Sequence, residues 1–238
     1  MTCFLSHRGE SDDAPENTLA AFRLAMDRDS DGIELDIRLT ADHFVVCVHD
    51  ESLERVAGIP LKIAETTLEE LQRNHPVPLL DDVLALLKPG KDMQIELKGR
   101  ERALLPELKK ILDARKIDKG QLALTSFEEK TIQDAEAFFP DLPRLLLTDL
   151  TAKFGEFPSS AQVLDMLQDL HCTGISFKAD RKASRAFVDQ LHERNLRVVC
   201  WGVFSDELGL DMAELGVDAM TSNHAVALRQ IWKEKKQG

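Results

Sequence analysis

Strand-like and helix-like segments alternate along this chain, and no other feature of the sequence restricts the fold as strongly. Nine short apolar runs are strand candidates, and most are separated by segments in which apolar residues recur with helical spacing. The candidates cover residues 3–6, 32–38, 44–48, 92–98, 122–126, 145–147, 174–177, 198–203 and 219–222. Such alternation is typical of a parallel sheet covered by helices, and 238 residues suit one α/β barrel. We therefore expect a TIM (β/α)8 barrel as a single domain over residues 1–238.

One pair of strand candidates interrupts the alternation. Too few residues separate 32–38 from 44–48 for a helical crossover, so we expect a hairpin or an irregular junction, with an extra short segment after this second strand unit. A four-residue turn would place Glu34 opposite His49, and a two-residue turn would place Asp36 opposite His49. Both registers bring this histidine beside a carboxylate.

Two carboxylates share one face of the predicted strand at 32–38. Side chains two positions apart on a strand point the same way, so Glu34 and Asp36 lie opposite Ile33, Leu35 and Ile37. In a buried strand the two carboxylates would repel each other and lose hydration, and a divalent cation would relieve both effects. On a surface strand the same pattern is an ordinary solvated face.

Charged and imidazole side chains gather at the predicted carboxyl ends of several strands, where a TIM barrel carries its active site. These residues are His7, Arg8, Glu34, Asp36, His49, Glu96 and Lys98. Three carboxylates can hold a hard divalent cation, two histidines can act as acid and base, and two cations can bind an anion. Together they are equipped for phosphodiester hydrolysis. Taken singly, each has a structural explanation, and Glu96 could simply pair with Lys98.

The overall charge restricts the partners. A net charge of −12 argues against nucleic acid or an anionic membrane as a partner, although it allows a small anionic substrate. No apolar run approaches the roughly 18 residues of a membrane span, so we expect no stable membrane insertion. Four cysteines without metal-binding spacing, and no recognisable signal peptide, lead us to expect a cytoplasmic protein with reduced thiols.

Several short motifs, taken together, resemble the glycerophosphodiester phosphodiesterase family. The main motifs are HRG at 7–9, PENT at 15–18, GIELD at 32–36, HD at 49–50 and IELK at 95–98. A looser likeness continues through LTSF at 124–127, GISF at 174–177, Trp201 and GVD at 216–218. No single motif is specific, but the set in this order is.

The resemblance implies a TIM barrel that hydrolyses glycerophosphodiesters to sn-glycerol 3-phosphate and an alcohol. By matching position, it implies Glu34, Asp36 and Glu96 as ligands of Mg²⁺ or Ca²⁺, with Mn²⁺ as a further candidate. It implies His7 and His49 as the acid/base pair, and Arg8, Lys98, Phe177 and Trp201 as substrate-binding residues. The nucleophile would be the glycerol 2-hydroxyl or a water molecule. The partner would be a small anionic phosphodiester, and we expect a monomer or homodimer.

Two asparagines receive no catalytic role from the sequence. Asn17 precedes helical spacing at Leu19, Phe22 and Met26, so we expect it to be the N-cap of the first helix. Asn223 follows the last strand, where the family more often has aspartate, and we assign it no role. The segment between residues 49 and 78 is also shorter than in many members, so leaving-group selectivity does not carry over.

Three other functions use the same residues. A lysophospholipase D-like enzyme would act on lysophospholipids with this site. A non-catalytic barrel would bind a phosphate metabolite, although all the catalytic residue types are present. An aldolase or isomerase would use Lys98 as a Schiff-base lysine, which the adjacent Glu96 and the second histidine fit less well.

Overall fold

A closed barrel of eight parallel strands forms the centre of the molecule, and helices surround it. The computed structural model describes residues 2–99, 103–115 and 117–237. Within these ranges no helix is both long and apolar enough to cross a lipid bilayer. The architecture confirms the predicted TIM barrel.

Among the described residues, nine strands occur close to the predicted positions. They are β1 Cys3–His7, β2 Gly32–Leu39, β3 Val45–Cys47, β4 Asp92–Leu97, β5 Leu122–Ser126, β6 Arg144–Thr148, β7 Gly174–Lys178, β8 Arg197–Trp201 and β9 Ala219–Ser222. The helices are α1 Leu19–Asp27, α2 Glu54–Ala57, α3 Leu68–Asn74, α4 Leu80–Leu84, α5 Leu104–Ala114, α6 Glu129–Phe138, α7 Leu150–Phe154, α8 Ser160–Asp169, α9 Arg185–His192, α10 Asp206–Leu215 and α11 Ala225–Gln237. Short 3₁₀ turns lie at Ile63–Glu65 and Lys119–Gln121.

Strand β2 has two different neighbours along one edge. Its first half pairs in parallel with β1, and its last three residues pair antiparallel with β3. Its other edge pairs with β4 along six residues. The barrel closes between β1 and β9, so β3 is an additional strand that continues the sheet beyond the end of β1.

The β2–β3 register lies between the two that we expected. Leu39 pairs with Val45 and Ile37 with Cys47, so neither Glu34 nor Asp36 lies directly opposite His49. The Val48 N–H donates to the Asp36 carbonyl at 3.0 Å, which places His49 one residue further along. Both predicted registers were therefore wrong, because the turn has an odd number of residues. His49 nevertheless lines the same cavity as Glu34.

Apolar side chains form layers on both sides of the barrel wall. Alternate strand residues such as Ile33, Leu35 and Ile175 face outward and pack beneath the helices in the largest apolar cluster. The barrel interior is filled by a small cluster of Leu5, Ala123, Leu145, Val199 and Ala219. This filling closes the lower barrel, and a cavity opens above it at the carboxyl ends of the strands.

The segment between β3 and β4 has a small apolar cluster of its own. Val46, Val48, Leu53, Ile63, Leu71 and Val77 form this cluster. It fixes the irregular chain of residues 49–78 against the barrel beside the carboxyl ends of β1 and β2. The polar residues that follow β3 therefore lie on a segment that is fixed by its own apolar core.

Thr18, and not Asn17, is the N-cap of α1. The Thr18 hydroxyl accepts a hydrogen bond from the Ala21 N–H at 3.2 Å. Asn17 has φ +54° and turns its side chain toward β2. The prediction that Asn17 caps the helix was wrong, because a distant partner, Asp36, holds its amide.

Candidate active site

A cavity of about 470 Å³ opens at the carboxyl ends of the barrel strands. Its two sides differ in chemistry. We call one side the charged wall: His7, Arg8, Glu34, Asp36, His49, Glu96 and Lys98, where Asp36 lies just beneath the cavity surface. We call the opposite side the apolar wall: Phe127, Leu147, Trp201, Val203 and Phe204.

The three predicted metal ligands lie together on the charged wall. Glu34, Asp36 and Glu96 each offer one carboxylate oxygen, and these atoms all lie within 4.8 Å of one another. Glu34 and Asp36 share the inner face of β2, and Glu96 is the direct neighbour of Asp36 on β4. All three side chains are buried. The alternation in sequence therefore places a compact oxygen cluster at the floor of the cavity.

Asp36 is the best-compensated carboxylate of the cluster. Arg8 Nε lies 3.2 Å from Asp36 Oδ2, and Lys98 Nζ lies 3.1 Å from Oδ1. Asn17 Nδ2 donates to Oδ2 at 2.8 Å. Burial favours the neutral form, but the charges of Lys98 and Arg8 outweigh it and hold the pKa of Asp36 well below its usual range. Asp36 is therefore ionised throughout the physiological range.

The two glutamates are in the opposite electrostatic state. Burial, followed by the negative charges of Asp36 and Glu96, raises the pKa of Glu34 well above 4.5. Burial and the Asp36 charge raise the pKa of Glu96 to about 7, even though Lys98 Nζ lies 2.6 Å from its Oε1. Each glutamate would lose a proton more readily if further positive charge were placed among the carboxylates.

The donor set suits a hard divalent cation. It consists of carboxylate oxygens, which Mg²⁺, Ca²⁺ and Mn²⁺ prefer over nitrogen or sulfur. Asp36 Oδ1 is buried and makes no hydrogen bond to any residue that the structure describes, although Lys98 is within ion-pair distance. An oxygen in this state can accept a metal ion without breaking an existing hydrogen bond.

The backbone at the end of β1 directs Arg8 into the charged wall. Arg8 has φ +56°, and its N–H donates to both the carbonyl and the Oε2 of Glu34, at 2.9 and 3.2 Å. Gly9 follows with φ +84°, and a Cβ there would lie 2.6 Å from Ala21 on α1. The loop can therefore lie close to α1 only with glycine at this position.

His7 is oriented by Asn223. Its Nδ1 lies 2.7 Å from Asn223 Oδ1, so the amide oxygen accepts a hydrogen bond from Nδ1–H. The other ring nitrogen, Nε2, faces the cavity. Nε2 lies 3.9 Å from Glu34 Oε2. Burial and the neighbouring Arg8 charge lower the pKa of His7, so its imidazole is neutral at pH 7. Asn223, which received no role from the sequence, therefore contacts a predicted catalytic histidine.

His49 is oriented by a carboxylate. Its Nδ1 lies 2.6 Å from Asp50 Oδ1, and its backbone carbonyl accepts a hydrogen bond from Arg38 Nε at 3.0 Å. Burial lowers the pKa of His49, while the negative charge of Asp36 acts in the opposite direction. Both predicted histidines thus present a ring to the cavity with the other ring nitrogen fixed by a partner.

Phe177 does not lie on the cavity. Its side chain is fully buried outside the barrel and packs edge-on against Phe157 and Phe187. The pairing of Lys178 with Trp201 explains this, because paired residues face the same side and Phe177 must face the other. The placement of Phe177 along the pocket is therefore corrected, whereas Trp201 does line it.

Phe127 provides the second aromatic ring of the apolar wall. It packs edge-on against Trp201, with ring centroids 5.2 Å apart and an interplanar angle of 84°. It directly follows β5 and is 46% exposed, and Phe204 beside it is 80% exposed. Alternation along β5 could have identified Phe127. Thr125 pairs with the inward-facing Glu96, and a side chain two positions further along points the same way.

Sequence and structure searches place these features among known proteins. The sequence model of the glycerophosphoryl diester phosphodiesterase family matches residues 7–227. The YhdW protein of Bacillus subtilis (strain 168) is 26% identical over 234 residues, which cover 92% of this chain and 93% of YhdW.

Two solved structures share the fold. A glycerophosphodiester phosphodiesterase from Thermotoga maritima aligns with a TM-score of 0.81 at 23% identity, over 97% of this chain and 98% of the other. A phosphodiesterase from Oleispira antarctica, in complex with the product sn-glycerol-3-phosphate, aligns with a TM-score of 0.81 at 23% identity, over 95% and 94%.

Proposed function

This chain belongs to the glycerophosphoryl diester phosphodiesterase family, and from that premise we propose how its charged wall performs the reaction. It is an enzyme that hydrolyses glycerophosphodiesters to glycerol 3-phosphate. One observation carries the proposal: three carboxylates, two imidazoles and two cationic side chains converge at a single cavity. These residue types match the general needs of phosphodiester hydrolysis, which are a bound cation, an acid and a base, and fixed positive charge.

Glu34, Asp36 and Glu96 bind one divalent cation, Mg²⁺ or Ca²⁺, and Mn²⁺ is also accepted. The compact oxygen cluster and the raised pKa values of both glutamates support this assignment. When bound, the cation supplies Lewis-acid stabilisation of charge on the phosphoryl oxygens.

Arg8 and Lys98 bind the phosphate of the substrate. They lie on opposite sides of Asp36, and their ion pairs with its carboxylate hold both cations at the cavity floor. Charge fixed in this way needs no reorganisation when negative charge grows on the phosphoryl group in the transition state. The Arg8 guanidinium can also bind two phosphate oxygens at once.

His7 and His49 carry the proton transfers. One ring, as the neutral imidazole, removes the proton of the attacking hydroxyl at Nε2, and the other, which must enter the reaction as the protonated imidazolium, donates its Nε2 proton to the leaving alkoxide. The lowered pKa of each ring supports a neutral base near pH 7, and the Nδ1 partners, Asn223 and Asp50, support catalysis through Nε2. Trp201 contacts the glycerol or the leaving group.

Metal removal tests the proposal. The protein is dialysed against chelator, and glycerol 3-phosphate release from glycerophosphocholine is assayed before and after addition of Mg²⁺, Ca²⁺ or Mn²⁺. We expect activity to disappear and one of these ions to restore it. Full turnover by protein shown by elemental analysis to be metal-free would refute the assignment.

A second candidate substrate class is lysophospholipids. The exposed rings of Phe127 and Phe204 at the mouth of the cavity favour it, because an acyl chain could lie against them. Comparison of kcat/KM for lysophosphatidylcholine and glycerophosphocholine decides between the two classes. A preference for glycerophosphocholine excludes lysophospholipids as the main substrate.

We also propose a cytoplasmic, single-domain protein that is a monomer or a homodimer. The free state of all four cysteines supports a reducing compartment. Cell fractionation tests the location, and light scattering on a sizing column tests the oligomeric state.

A further inference from the structure

We propose that Arg55 is a positioning residue that links Arg8 to His49 through two intervening carboxylates, so that phosphate binding and proton transfer share one support. The inference rests on the proposed roles of Arg8 and His49. Arg55 lies on α2, in the segment between β3 and β4, and its side chain is half-exposed.

The first half of the link runs from Arg55 to Arg8. Arg55 Nη1 donates to Glu16 Oε2 at 2.9 Å, and Nη2 donates to Glu16 Oε1 at 2.6 Å. Glu16 Oε1 also accepts a hydrogen bond from Arg8 Nη1 at 2.9 Å. One carboxylate therefore joins the two guanidinium groups, and it restricts the Arg8 head group at the end opposite its contact with Asp36.

The second half of the link runs from Arg55 to His49. Arg55 Nε donates to Asp50 Oδ2 at 2.6 Å, and the other oxygen, Oδ1, lies 2.6 Å from His49 Nδ1. The carboxylate that fixes the imidazole is thus itself fixed. A single guanidinium holds both ends of the link.

Arginine suits this position because of its shape. Three of its nitrogens donate to three oxygens on two carboxylates, which requires a planar group with donors at fixed angles. A lysine ammonium has the same charge but no such fork. Without Arg55, Glu16 and Asp50 would repel each other across the gap that it now fills.

The position of Arg55 indicates that its contribution is not mainly to stability. Ion pairs that are half-exposed typically contribute about 0–1 kcal/mol to folding. The two carboxylates that it holds, Glu16 and Asp50, contact Arg8 and His49 directly. Its effect should therefore be on catalysis.

The test compares Arg55→Met and Arg55→Lys with a matched control, Arg73→Met. Arg73 lies in the same segment and pairs with Glu69 on its own exposed helix, away from the cavity. We expect Arg55→Met to lower kcat/KM by about 10–100-fold, the range seen when partners that orient active groups are removed. KM should rise and kcat should fall together, because Arg8 and His49 both lose support.

Three further readouts separate positioning from a structural defect. Metal affinity and melting temperature should match the wild type, and Arg55→Lys should recover only part of the loss. Glu16→Gln should mainly raise KM, and Asp50→Asn should mainly lower kcat. A double-mutant cycle combines Glu16→Gln with Asp50→Asn and compares their effects on kcat/KM. The two effects should be non-additive when Arg55 is present and additive in the Arg55→Met background.

The outcomes distinguish this inference from the proposed function. If Glu34→Gln is inactive while Arg55→Met behaves like Arg73→Met, the positioning role is wrong and the proposed function stands. If Glu34→Gln retains full turnover, the proposed function itself fails. If Arg55→Met does not fold, Arg55→Lys decides: wild-type kinetics in that variant would exclude the role of the fork.

Discussion

The charged wall and the apolar wall of the cavity are built on different principles. Residues of the charged wall come from the first 98 positions, and each is held by named partners at short distances. Residues of the apolar wall come from positions 127–204, and two of its rings project into solvent. Chemistry needs charges fixed in place before substrate binds, whereas a surface for the leaving group needs mainly shape.

The two walls also differ in how a substitution would act. On the charged wall, removal of one group leaves a buried partner without compensation, so effects spread to stability. On the apolar wall, exposed rings can change without disturbing the core. The following predictions test this difference.

Asp36→Asn should have the largest effect. It removes the charge that compensates Arg8 and Lys98, so we expect kcat/KM to fall by at least about a thousand-fold, about 4 kcal/mol. The loss of one partner in a buried ion pair should also lower the free energy of unfolding by about 3–5 kcal/mol. Steady-state kinetics and urea denaturation measure the two quantities. A variant that loses activity but keeps wild-type stability would show that the charged wall is not coupled in this way.

Glu34→Gln should separate activity from stability. We expect kcat/KM to fall by at least about a hundred-fold, because a metal ligand is lost. Since the pKa of Glu34 is raised by burial and by like charges, an uncharged side chain should leave the metal-free protein at least as stable as the wild type. Calorimetry with and without metal tests this. Equal destabilisation by Glu34→Gln and Asp36→Asn would contradict the different electrostatic states of the two carboxylates.

The metal-free protein should lose stability as pH rises from about 4.5 to 7. The pKa of Glu96 is raised from 4.5 to about 7 on folding, so in this window the folded state binds a proton that the unfolded state has released. This contribution is fully lost about one pH unit above the pKa of folded Glu96, and the total loss is about 3 kcal/mol or roughly 6–12 °C.

His7 and His49 act with the opposite sign, because their lowered pKa values make stability rise with pH. The measurement is therefore a difference: melting temperatures of wild type and Glu96→Gln in chelator from pH 4.5 to 8. The advantage of Glu96→Gln should grow as pH rises. A constant difference would mean that Glu96 titrates normally.

Trp201→Phe should have the smallest effect and should leave the charged wall intact. Trp201 lines the cavity, and its Nε1 makes no hydrogen bond to any residue within the described ranges, so the substitution leaves no protein partner unpaired. Loss of part of the ring contact with the substrate should raise KM about two- to ten-fold, with kcat, metal affinity and stability unchanged. Trp232→Phe, at a partly buried tryptophan that lies beneath Lys236 and does not line the cavity, is the control. A large fall in kcat would show that the apolar wall also orients the reacting groups.

The sequence was most informative where local periodicity determines the answer. Glu34, Asp36 and Glu96 could be grouped because alternation on neighbouring strands fixes which side chains face inward. The register of the β2–β3 hairpin could not be predicted in this way, because it depends on a turn whose length is set by the Thr40–Phe44 contacts. The approximate location of His49 was still predicted correctly, because the strand ends are close in any register.

Contacts between distant parts of the chain escaped the sequence analysis. Asn17 was interpreted from local helix-capping preference, but its partner, Asp36, lies on another element. Phe177 was placed by resemblance, although the pairing of β7 with β8 decides its side. Asn223 could have been found, because closure of the barrel pairs Ser6 with Ser222 and makes His7 a neighbour of Asn223.

The closure of the barrel also determines when the active site can form. β1 pairs with β9, so Cys3 and Ala219 must meet across more than two hundred residues of chain. Such non-local pairing is slow, because the loop entropy is lost before the contact forms. On the ribosome, β1, β2 and β4 emerge long before β9, and one edge of β1 stays unpaired until the last strand is made. His7 therefore gains the Asn223 hydrogen bond among the last steps of folding, which makes catalytic competence a late marker of a completed barrel.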